Sequence, residues 1–453
     1  MTTTILASLR DPWPGYRVAA IGTSLIQHNH AATISSSSPK IRTWSRGPLS
    51  WAQVLSNGRF RFDAWYDATS YIGWENRGFM GLNAGNSGQS YAEIIARQSF
   101  LTDNIACDII LVDAGTNDIN YETKEAIQTA REALATYFAN RGKIVVLMPI
   151  LARSTSTSWT PGSAARKKAN WINRKTRDFA ATTHGVYFFD WNDAWVDRDD
   201  SDGQPKTGYS SDGIHFTPLG GYFVGKALAG FLAGIIPDPY PRVFSPDDLY
   251  DATDNPLGNF LTNPFLIGTS GALSDATGEM ADGMRLERSA GTSTAVASKE
   301  AAEKGGSKQV ITITPAGSDS EFRFRTSSAN TSHAHGGGWM QASCKVDVEG
   351  AGDALNYITL SIDDQASNGV ECQGMWEHDD SGLLPWNFGE DWSGTIITPP
   401  AQLMADSTDV RWRVTMGVNG ASSSTPVVKF SEVELRAVED PRTALNYSAP
   451  ATS

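Results

Sequence analysis

Apolar positions in the first half of the chain form short continuous runs, separated by longer segments with helical spacing. Continuous runs of this length are typical of strands that are buried on both faces. The predicted strands are 18–21 (VAAI), 108–112 (DIILV), 143–148 (KIVVLM) and 186–190 (VYFFD). The predicted helices are 123–142, 163–185 and 219–234. This alternation predicts an α/β domain over residues 1–237, with a parallel sheet covered by helices on both faces.

The pattern changes after residue 237. Residues 238–262 are rich in Pro, Asp and Gly and are predicted to form a linker. Beyond them, apolar and polar residues alternate in segments that Gly, Ser, Asn and Asp separate. The predicted strands are 308–314, 321–325, 339–348, 354–363, 410–418 and 426–438. These strands predict an all-β antiparallel sandwich over residues 263–440, followed by a tail at 441–453.

Composition and charge narrow the class of protein. The chain is 40% hydrophobic and 19% charged, which is typical of a folded soluble protein. Its formal net charge is -13, and the acidic excess lies beyond about residue 240, so we expect no nucleic acid partner. No apolar run approaches the roughly 18 residues of a membrane span. The first residues lack a basic segment before an apolar one, so no secretory signal is expected. Cytoplasmic, non-classically exported and virion-associated locations stay open.

Cysteine usage argues against both a disulfide framework and a zinc site. Three cysteines are too few for such a framework. Cys344 and Cys372 lie in the same half, and their pairing stays open. Cys107 is expected to pack as a small apolar residue. We expect neither a metal nor a cofactor.

Four polar segments of the first half carry candidate chemistry. IGTSL places Ser24 just after the first strand, and NAGNSGQS (83–90) has two glycines before a helical pattern. GTND places Asn117 after the second strand, and DGIHFTPLGG places Asp212 three residues before His215. Because the carboxyl ends of parallel strands share one edge of the sheet, these segments are expected to meet there. The Asp-x-x-His spacing allows the carboxylate to orient the imidazole.

In order, spacing and position, these segments resemble those of the SGNH (GDSL-like) hydrolase family, over roughly residues 15–235. The resemblance implies a flavodoxin-like three-layer α/β sandwich and a serine esterase mechanism. It also implies that Ser24 is the nucleophile and His215 the general base, with Asp212 orienting the imidazole.

The same resemblance assigns the oxyanion hole to the N–H groups of Ser24 and Gly88 and the side chain of Asn117. Two positions depart from the family pattern. Thr23 stands where the family has an aspartate that is not a reacting group. Asp113 stands where an apolar residue is expected, and it requires a partner if it is buried. The sequence does not identify that partner.

Other residues have both a structural and a functional interpretation. His28 and His30 follow Ser24 closely and are candidates for metal ligands or an alternative base, or for residues of a loop rim. The acidic segment 197–203 lacks the terminal glutamate of a calcium loop and is expected to be a solvated loop. Several tryptophans suit either sugar rings or core packing. They are Trp44, Trp51, Trp65, Trp74 and Trp159.

The layout of the second half indicates a class of substrate. Its layout is similar to that of jelly-roll modules that accompany polysaccharide enzymes. We therefore expect an esterase that removes small acyl groups, above all O-acetyl, from a carbohydrate or polysaccharide. A lipase or thioesterase of the same family is the alternative within the enzyme class. A structural or adhesive glycan-binding protein with secondary hydrolase activity is the alternative outside it. The oligomeric state stays open.

Overall fold

The structure is a computed structural model of the chain. It describes residues 16–33, 40–66, 79–103, 107–237, 245, 247–327, 337–364, 371–376, 381–407 and 409–441. Trp74, the first residues of the predicted linker and nearly all of the predicted tail lie outside these ranges, and so does the side chain of Cys372.

The first half contains the predicted alternation of strands and helices. Its strands are β1 (Tyr16–Gly22), β2 (His30–Thr33), β3 (Lys40–Trp44), β4 (Phe60–Arg61), β5 (Ala64–Tyr66), β6 (Phe79–Gly81), β7 (Asn83–Gly85), β8 (Ile109–Val112), β9 (Ile144–Leu147) and β10 (Val186–Phe188). Its helices are α1 (Ser24–Gln27), α2 (Pro48–Leu55), α3 (Tyr91–Ala96), α4 (Phe100–Asp103), α5 (Lys124–Ala139), α6 (Ala164–Thr182), α7 (Asn192–Trp195) and α8 (Pro218–Ala233). Thr123, Ser163 and Thr217 cap α5, α6 and α8 by accepting backbone N–H bonds. The predicted strands and helices of this half are confirmed, with ends that differ by a few residues.

One parallel sheet forms the centre of the first half. Its strand order is β10–β9–β8–β1, and β4 and β7 pair with the other edge of β1, also in parallel. Every residue of β8 is buried. Helix α2 packs against α8 and α5 against α6, and side chains of α5 and α8 join those of the strands in one apolar core. This is the predicted flavodoxin-like α/β fold.

The second half consists of strands and short 3₁₀ turns. Its strands are β11 (Ser270–Ser274), β12 (Ala276–Gly278), β13 (Met280–Ala290), β14 (Thr294–Ala301), β15 (Ser307–Thr314), β16 (Ser320–Thr326), β17 (Trp339–Glu349), β18 (Leu355–Asp364), β19 (Glu371–Trp376), β20 (Trp392–Ile397), β21 (Ala401–Gln402), β22 (Val410–Val418) and β23 (Val427–Val438). One sheet has the order β11–β13–β16–β22–β18–β19, and the other β12–β14–β15–β23–β17–β20, with β21 also on β17. Within these sheets the pairs are antiparallel apart from β11–β13 and β12–β14. The predicted all-β region is confirmed, and its jelly-roll topology stays a prediction.

A hairpin from the first half extends a sheet of the second. β2 and β3 pair antiparallel, with His30 opposite Thr43. β3 then pairs in parallel with β19, where Trp44 lies opposite Trp376. Strand pairing therefore crosses the predicted boundary at residue 237, and the division of the chain into folding units stays a prediction.

Apolar side chains of α2 and α8 pack into the second half. Trp51, Val54 and Tyr222 belong to the same buried cluster as the sandwich strands. The ring of Trp51 stands edge-on to that of Trp392, with centroids 5.4 Å apart. At Gly394 a Cβ would lie 2.6 Å from the carbonyl oxygen of Val54, so the glycine permits the close approach of β20 to α2. The two halves therefore share a buried apolar interface.

A buried polar cluster crosses the same interface. Arg61 forms an ion pair with Asp63, and Arg61 Nη2 donates to Gln341 Oε1 at 2.8 Å. Gln341 Nε2 in turn donates to Asp63 Oδ1 at 3.2 Å. All three residues are buried, and each supplies partners to the other two. Buried charges are tolerated when they are paired and hydrogen-bonded in this way.

Two described cysteines are free thiols. Cys344 in β17 is free and buried, so the disulfide with Cys372 that the sequence left open is not formed. Cys107 is buried as well, and burial raises the pKa of its thiol to about 11, which fits the expected packing role. Among the described residues, no helix combines the length and apolar character that a bilayer span requires.

Candidate active site

Ser24 lies at the carboxyl end of β1, where the strand turns directly into α1. Gly22 permits this turn, because a Cβ there would lie 2.6 Å from the carbonyl oxygen of Asp113 beside it. Thr23 has extended backbone, and Ser24 is the first helical residue. The Ser24 residue is 9% exposed, so its hydroxyl lies at the edge of the sheet where ligands of such folds bind.

Ser24, His215 and Asp212 form a continuous hydrogen-bonded series. Nε2 of His215 is 2.9 Å from Oγ of Ser24, and Nδ1 of His215 is 2.6 Å from Oδ2 of Asp212. A hydroxyl next to an imidazole whose other nitrogen meets a carboxylate is the arrangement that activates a serine as a nucleophile. The structure thus brings together three residues that the sequence analysis expected at one edge of the sheet.

The turn before α8 holds the Asp212 carboxylate towards His215. Asp212 Oδ1 accepts the backbone N–H groups of Ile214 and His215, both at 2.8 Å. Ser210 Oγ donates to the carbonyl oxygen of His215 at 2.7 Å and closes the turn. Burial raises the pKa of Asp212, but the hydrogen bonds from His215 and Ile214 outweigh it and lower the pKa to about 2. Asp212 is therefore ionised at neutral pH.

The glycine-containing loop 83–90 lies against the turn that carries Ser24. The N–H and the hydroxyl of Ser87 lie 2.7 and 2.6 Å from Gln27 Oε1, to which they donate. A Cβ on Gly85 would collide with the backbone of Gln27. Gly88 has φ +80°, and a Cβ there would meet no neighbouring atom. Gly85 thus permits a close approach, whereas Gly88 permits a left-handed conformation.

Asn117 lies beside this loop. Its Nδ2 donates to the carbonyl oxygen of Gln89 at 2.8 Å, which uses one of the two hydrogens of the amide. The next residue, Asp118, accepts the N–H of Tyr91 at 3.0 Å, so the GTND segment also holds the start of α3. The structure therefore places Asn117 next to the loop that contains Gly88.

Arg97 reinforces the site, although no motif marks it in the sequence. Its buried guanidinium donates to the carbonyl oxygens of Ala84 and, at 3.1 Å, Gly22, and its Nε donates to Gln89 Oε1 at 2.8 Å. Burial lowers its pKa to about 10, so it stays charged at neutral pH. One side chain thus joins the end of β1 to both ends of loop 83–90.

The two departures from the family pattern contact each other. Thr23 Oγ1 donates to Asp113 Oδ2 at 2.6 Å, and the N–H of Thr23 lies 3.3 Å from the same oxygen. Asp113 is 0% exposed, and burial raises the pKa of its carboxyl above the ordinary range. The partner that the sequence could not identify is therefore Thr23, the residue just before Ser24. The signal for this contact in the sequence was that both departures from the family pattern lie at the ends of adjacent strands.

Replacing Thr23 with valine is expected to lower the free energy of unfolding by about 1–3 kcal/mol, because the buried Asp113 carboxyl loses its hydroxyl donor. Thr23→Ser keeps the hydroxyl and serves as the matched control. Urea unfolding of the two variants measures the difference. Equal stability of the two variants would show that the Thr23–Asp113 hydrogen bond contributes nothing.

The two histidines after Ser24 have different surroundings. His30 is buried, its Nδ1 lies 2.9 Å from Asn83 Nδ2, and burial lowers its pKa to about 3. It is therefore neutral and packs in the core. The ring of His28 lies 4.7 Å from that of His215 and 5.7 Å from that of Trp44, between centroids. His28 thus supports the imidazole of His215 from one side.

The tryptophans and the acidic segment 197–203 differ in their surroundings. Trp51, Trp65 and Trp159 are buried, whereas Trp44 is partly exposed. In the acidic segment 197–203 the carboxylates close local turns, since Asp197 and Asp200 accept backbone N–H groups two residues further on. Among the described residues, no three His, Cys, Asp or Glu side chains lie close enough together to hold a metal ion.

Comparison with known proteins finds a family match for the first half of the chain. Residues 20–221 match the sequence model of the GDSL-like Lipase/Acylhydrolase family. No curated protein matches the chain.

Solved structures with a similar fold share little sequence with the chain. A carbohydrate esterase family 3 protein from Talaromyces cellulolyticus is 18% identical, with 49% of this chain and 98% of that chain covered and a TM-score of 0.32. An acetylxylan esterase from Geobacillus stearothermophilus is 14% identical, with 51% and 98% covered and a TM-score of 0.32. A GDSL-like lipase from Bacteroides thetaiotaomicron is 17% identical, with 49% and 88% covered and a TM-score of 0.32.

The matched residues include all four motifs, and the parallel sheet brings those motifs to one edge. Residues 20–221 of this chain therefore form a domain that matches the GDSL-like lipase/acylhydrolase family model.

Proposed function

We propose that this acylhydrolase is a serine esterase that removes small acyl groups, O-acetyl above all, from a carbohydrate. The observation that carries the proposal is the series of contacts Ser24 Oγ–His215 Nε2 at 2.9 Å and His215 Nδ1–Asp212 Oδ2 at 2.6 Å. A hydroxyl, a base and a carboxylate at these distances are what acyl transfer through a covalent intermediate requires.

The mechanism assigns one role to each of the three residues. His215 Nε2 takes the proton of Ser24 as Oγ attacks the ester carbonyl carbon. The tetrahedral intermediate expels the sugar alcohol, which receives that proton from His215. Water, deprotonated by His215, then cleaves the acyl-enzyme and releases the acid. Asp212, ionised at neutral pH, stabilises the imidazolium that forms twice in this cycle.

The oxyanion hole is assigned to the N–H groups of Ser24 and Gly88 and the second N–H of Asn117. Its support is the proximity of the Gly88 loop and Asn117 at the edge of the sheet, since Asn117 is bonded to Gln89. Replacing Asn117 with alanine is expected to lower kcat by about 10²–10³-fold, the usual effect of losing one such donor. The hydrogen bond to Gln89 is lost as well, so Asn117→Asp, which retains the size but not the donor, is the second variant to measure.

The character of the loop next to Ser24 supports a small acyl group. Residues 86–90 are Asn-Ser-Gly-Gln-Ser, and Asn117 lies beside them. A long acyl chain is bound by a continuous apolar wall, whereas these residues offer hydrogen-bond donors and acceptors.

The surroundings of His215 support a carbohydrate. The partly exposed ring of Trp44 lies next to His28, which lies next to His215. Aromatic faces suit the apolar faces of sugar rings, so we expect Trp44 to contact a sugar whose ester is bound at Ser24. Trp44 belongs to the hairpin that extends the sandwich sheet, which connects the second half to the same surface.

Hydrolysis of p-nitrophenyl esters from acetyl to dodecanoyl tests the proposal. We expect kcat/KM to be highest for acetyl and to fall with chain length. A maximum at long chains places the protein among the lipases of the family. Absence of turnover on every ester, combined with tight glycan binding, favours the structural or adhesive alternative.

Activity is expected to fall at acid pH through one ionisation. His215 must be neutral to accept the Ser24 proton, so turnover falls as the imidazole is protonated. Asp212, with its pKa lowered to about 2, keeps its charge throughout that fall and adds no second step. The profile of kcat/KM for p-nitrophenyl acetate measures this, and an acid limb of unit slope is expected. A profile that stays flat down to about pH 4 would contradict the role of His215.

A further inference from the structure

A second concave surface lies along helix α6, and it contains none of the triad residues. It is a cleft of about 920 Å³ between α6, the amino end of α5 and the chain that follows β9. Six cationic residues line it: Lys124, Arg166, Lys167, Lys168, Arg174 and Arg177. Among the described lining residues, Asp190 is the single acidic one. The cleft is thus strongly basic in a chain with a net charge of -13.

The positive charge of the cleft is only partly neutralised by the protein. Arg177 pairs with Asp190 at 3.2 Å, and Lys124 pairs with Glu125 at 3.7 Å. Within the described part of the chain, Lys167 and Arg174 form no ion pair. Cations gathered in a concave surface focus their field on anions in solution, so the cleft attracts negatively charged ligands.

The lining also contains groups that suit a sugar ring. Trp171 is partly exposed, and the ammonium of Lys124 lies 4.9 Å from the centre of its ring. Asn170, one residue before it, lines the same cleft. An aromatic face can cover a sugar ring, an amide can bind its hydroxyls, and a guanidinium can hold a carboxylate through two parallel hydrogen bonds.

The loop that follows β9 connects this cleft to the candidate active site. Trp159 of the loop lines the cleft. Earlier in the same loop, Arg153 Nη2 donates to the carbonyl oxygen of Thr116 at 2.7 Å, next to Asn117. The N–H of Ser154 donates to the carbonyl oxygen of Gly213 at 2.9 Å, between Asp212 and His215. One segment therefore forms a wall of the cleft and contacts two segments of the active site.

We propose that this cleft binds the carboxylate groups of an acidic polysaccharide, the polymer that carries the ester hydrolysed at Ser24. The ester part of this inference rests on the proposed function, whereas the binding part does not. Nucleic acid fits less well, because duplex DNA carries a charge about every 1.7 Å and the second half of the chain is strongly acidic. A polysaccharide with one carboxylate per sugar has a much lower charge density.

Binding of polygalacturonate, which is acidic and carries no acetyl group, tests the proposal on the full chain. Calorimetry compares wild type with the double variant Lys167→Gln/Arg174→Gln. The matched control is Arg141→Gln/Lys175→Gln, which removes the same charge from α6 and from the turn that follows α5, outside the cleft. We expect about a tenfold higher Kd in the cleft variant, or about 1.4 kcal/mol, and little change in the control. Circular dichroism and thermal unfolding establish that both variants are folded.

Four further measurements separate the outcomes. Binding should weaken with added salt and be absent for dextran, which is neutral. Equal binding of dextran, an equal loss in both double variants, or no binding of polygalacturonate would each overturn the proposal. Tighter binding of an oligonucleotide would reassign the cleft to nucleic acid.

Turnover of p-nitrophenyl acetate should be unchanged in the cleft variant. Polygalacturonate binding without ester turnover in wild type would refute the proposed function and leave the binding site intact.

Discussion

Replacing Ser24 with alanine is expected to lower kcat for p-nitrophenyl acetate by about 10⁴–10⁶-fold, the largest effect of any single change in this protein. Without Oγ there is no covalent acyl-enzyme, and His215 has no hydroxyl to deprotonate. What remains is the rate enhancement from the oxyanion donors and from substrate binding. Steady-state kinetics on the purified full chain measures the loss.

The fold should survive this change, because Ser24 is a small residue at the edge of the sheet. Ser99→Ala is the control, since Ser99 is exposed and its hydrogen bond to Thr102 uses its backbone carbonyl. Wild-type turnover in Ser99→Ala and a loss in Ser24→Ala at equal stability are expected. A Ser24→Ala variant that retained most of the turnover would rule out Ser24 as the nucleophile.

Replacing Arg61 with alanine is expected to lower the free energy of unfolding by about 3–5 kcal/mol, the second large effect. Arg61 is the cationic partner of buried Asp63 and a donor to Gln341 of the second half. Its removal takes the cation away from a buried carboxylate. Urea unfolding, followed by tryptophan fluorescence, measures the loss.

An exposed ion pair provides the comparison. Arg198 and Asp193 lie 2.6 Å apart with most of both side chains in solvent, so Arg198→Ala should change stability little.

Because the Arg61 cluster and the Trp51 contacts join the two halves, esterase activity and tryptophan fluorescence should be lost in one transition. Two separate transitions, with activity unaffected by the first, would contradict a shared interface.

The parts of the fold that could be predicted from sequence are those with a local signal. β8 is a continuous apolar run because both of its faces are buried, and α6 has apolar residues at helical spacing. β13 was missed, since only a few positions of its sequence MADGMRLERSA alternate between apolar and polar, and it pairs with β16 further along the chain. The β2–β3 hairpin was missed for the same reason: its pairing with β19 joins segments far apart in the chain, and nothing in HAAT or KIRTW signals it.

The candidate site, like the fold, could be predicted only where the sequence carries a local signal. Ser24, Asp212 and His215 could be named because each lies in a short motif, which follows a predicted strand for Ser24 and precedes a predicted helix for Asp212 and His215. The contacts that hold the site could not. Arg97 joins backbone carbonyls and carries no motif. Thr23 and Asp113 were each noted as departures, but only the pairing of β1 with β8 brings them together.

Contacts between the two halves of the chain also support the candidate active site. The hairpin that carries Trp44 is a strand pair of the sandwich sheet, and it follows α1 by only a few residues. The surface next to His215 is therefore held by both halves of the chain. A flexible tether would only keep a glycan-binding module near the site. This interface instead makes the sandwich part of the structure that holds the site in place.

The most direct test of the central claim is covalent labelling with a fluorophosphonate, which phosphonylates an activated serine with loss of fluoride. Intact mass spectrometry followed by peptide mapping locates the adduct. We expect one adduct per chain, on Ser24, that forms far more slowly in His215→Ala and is absent in Ser24→Ala. An adduct on another serine, or full ester turnover by a protein that the reagent does not label, would contradict the claim that Ser24 is activated by His215 for acyl transfer.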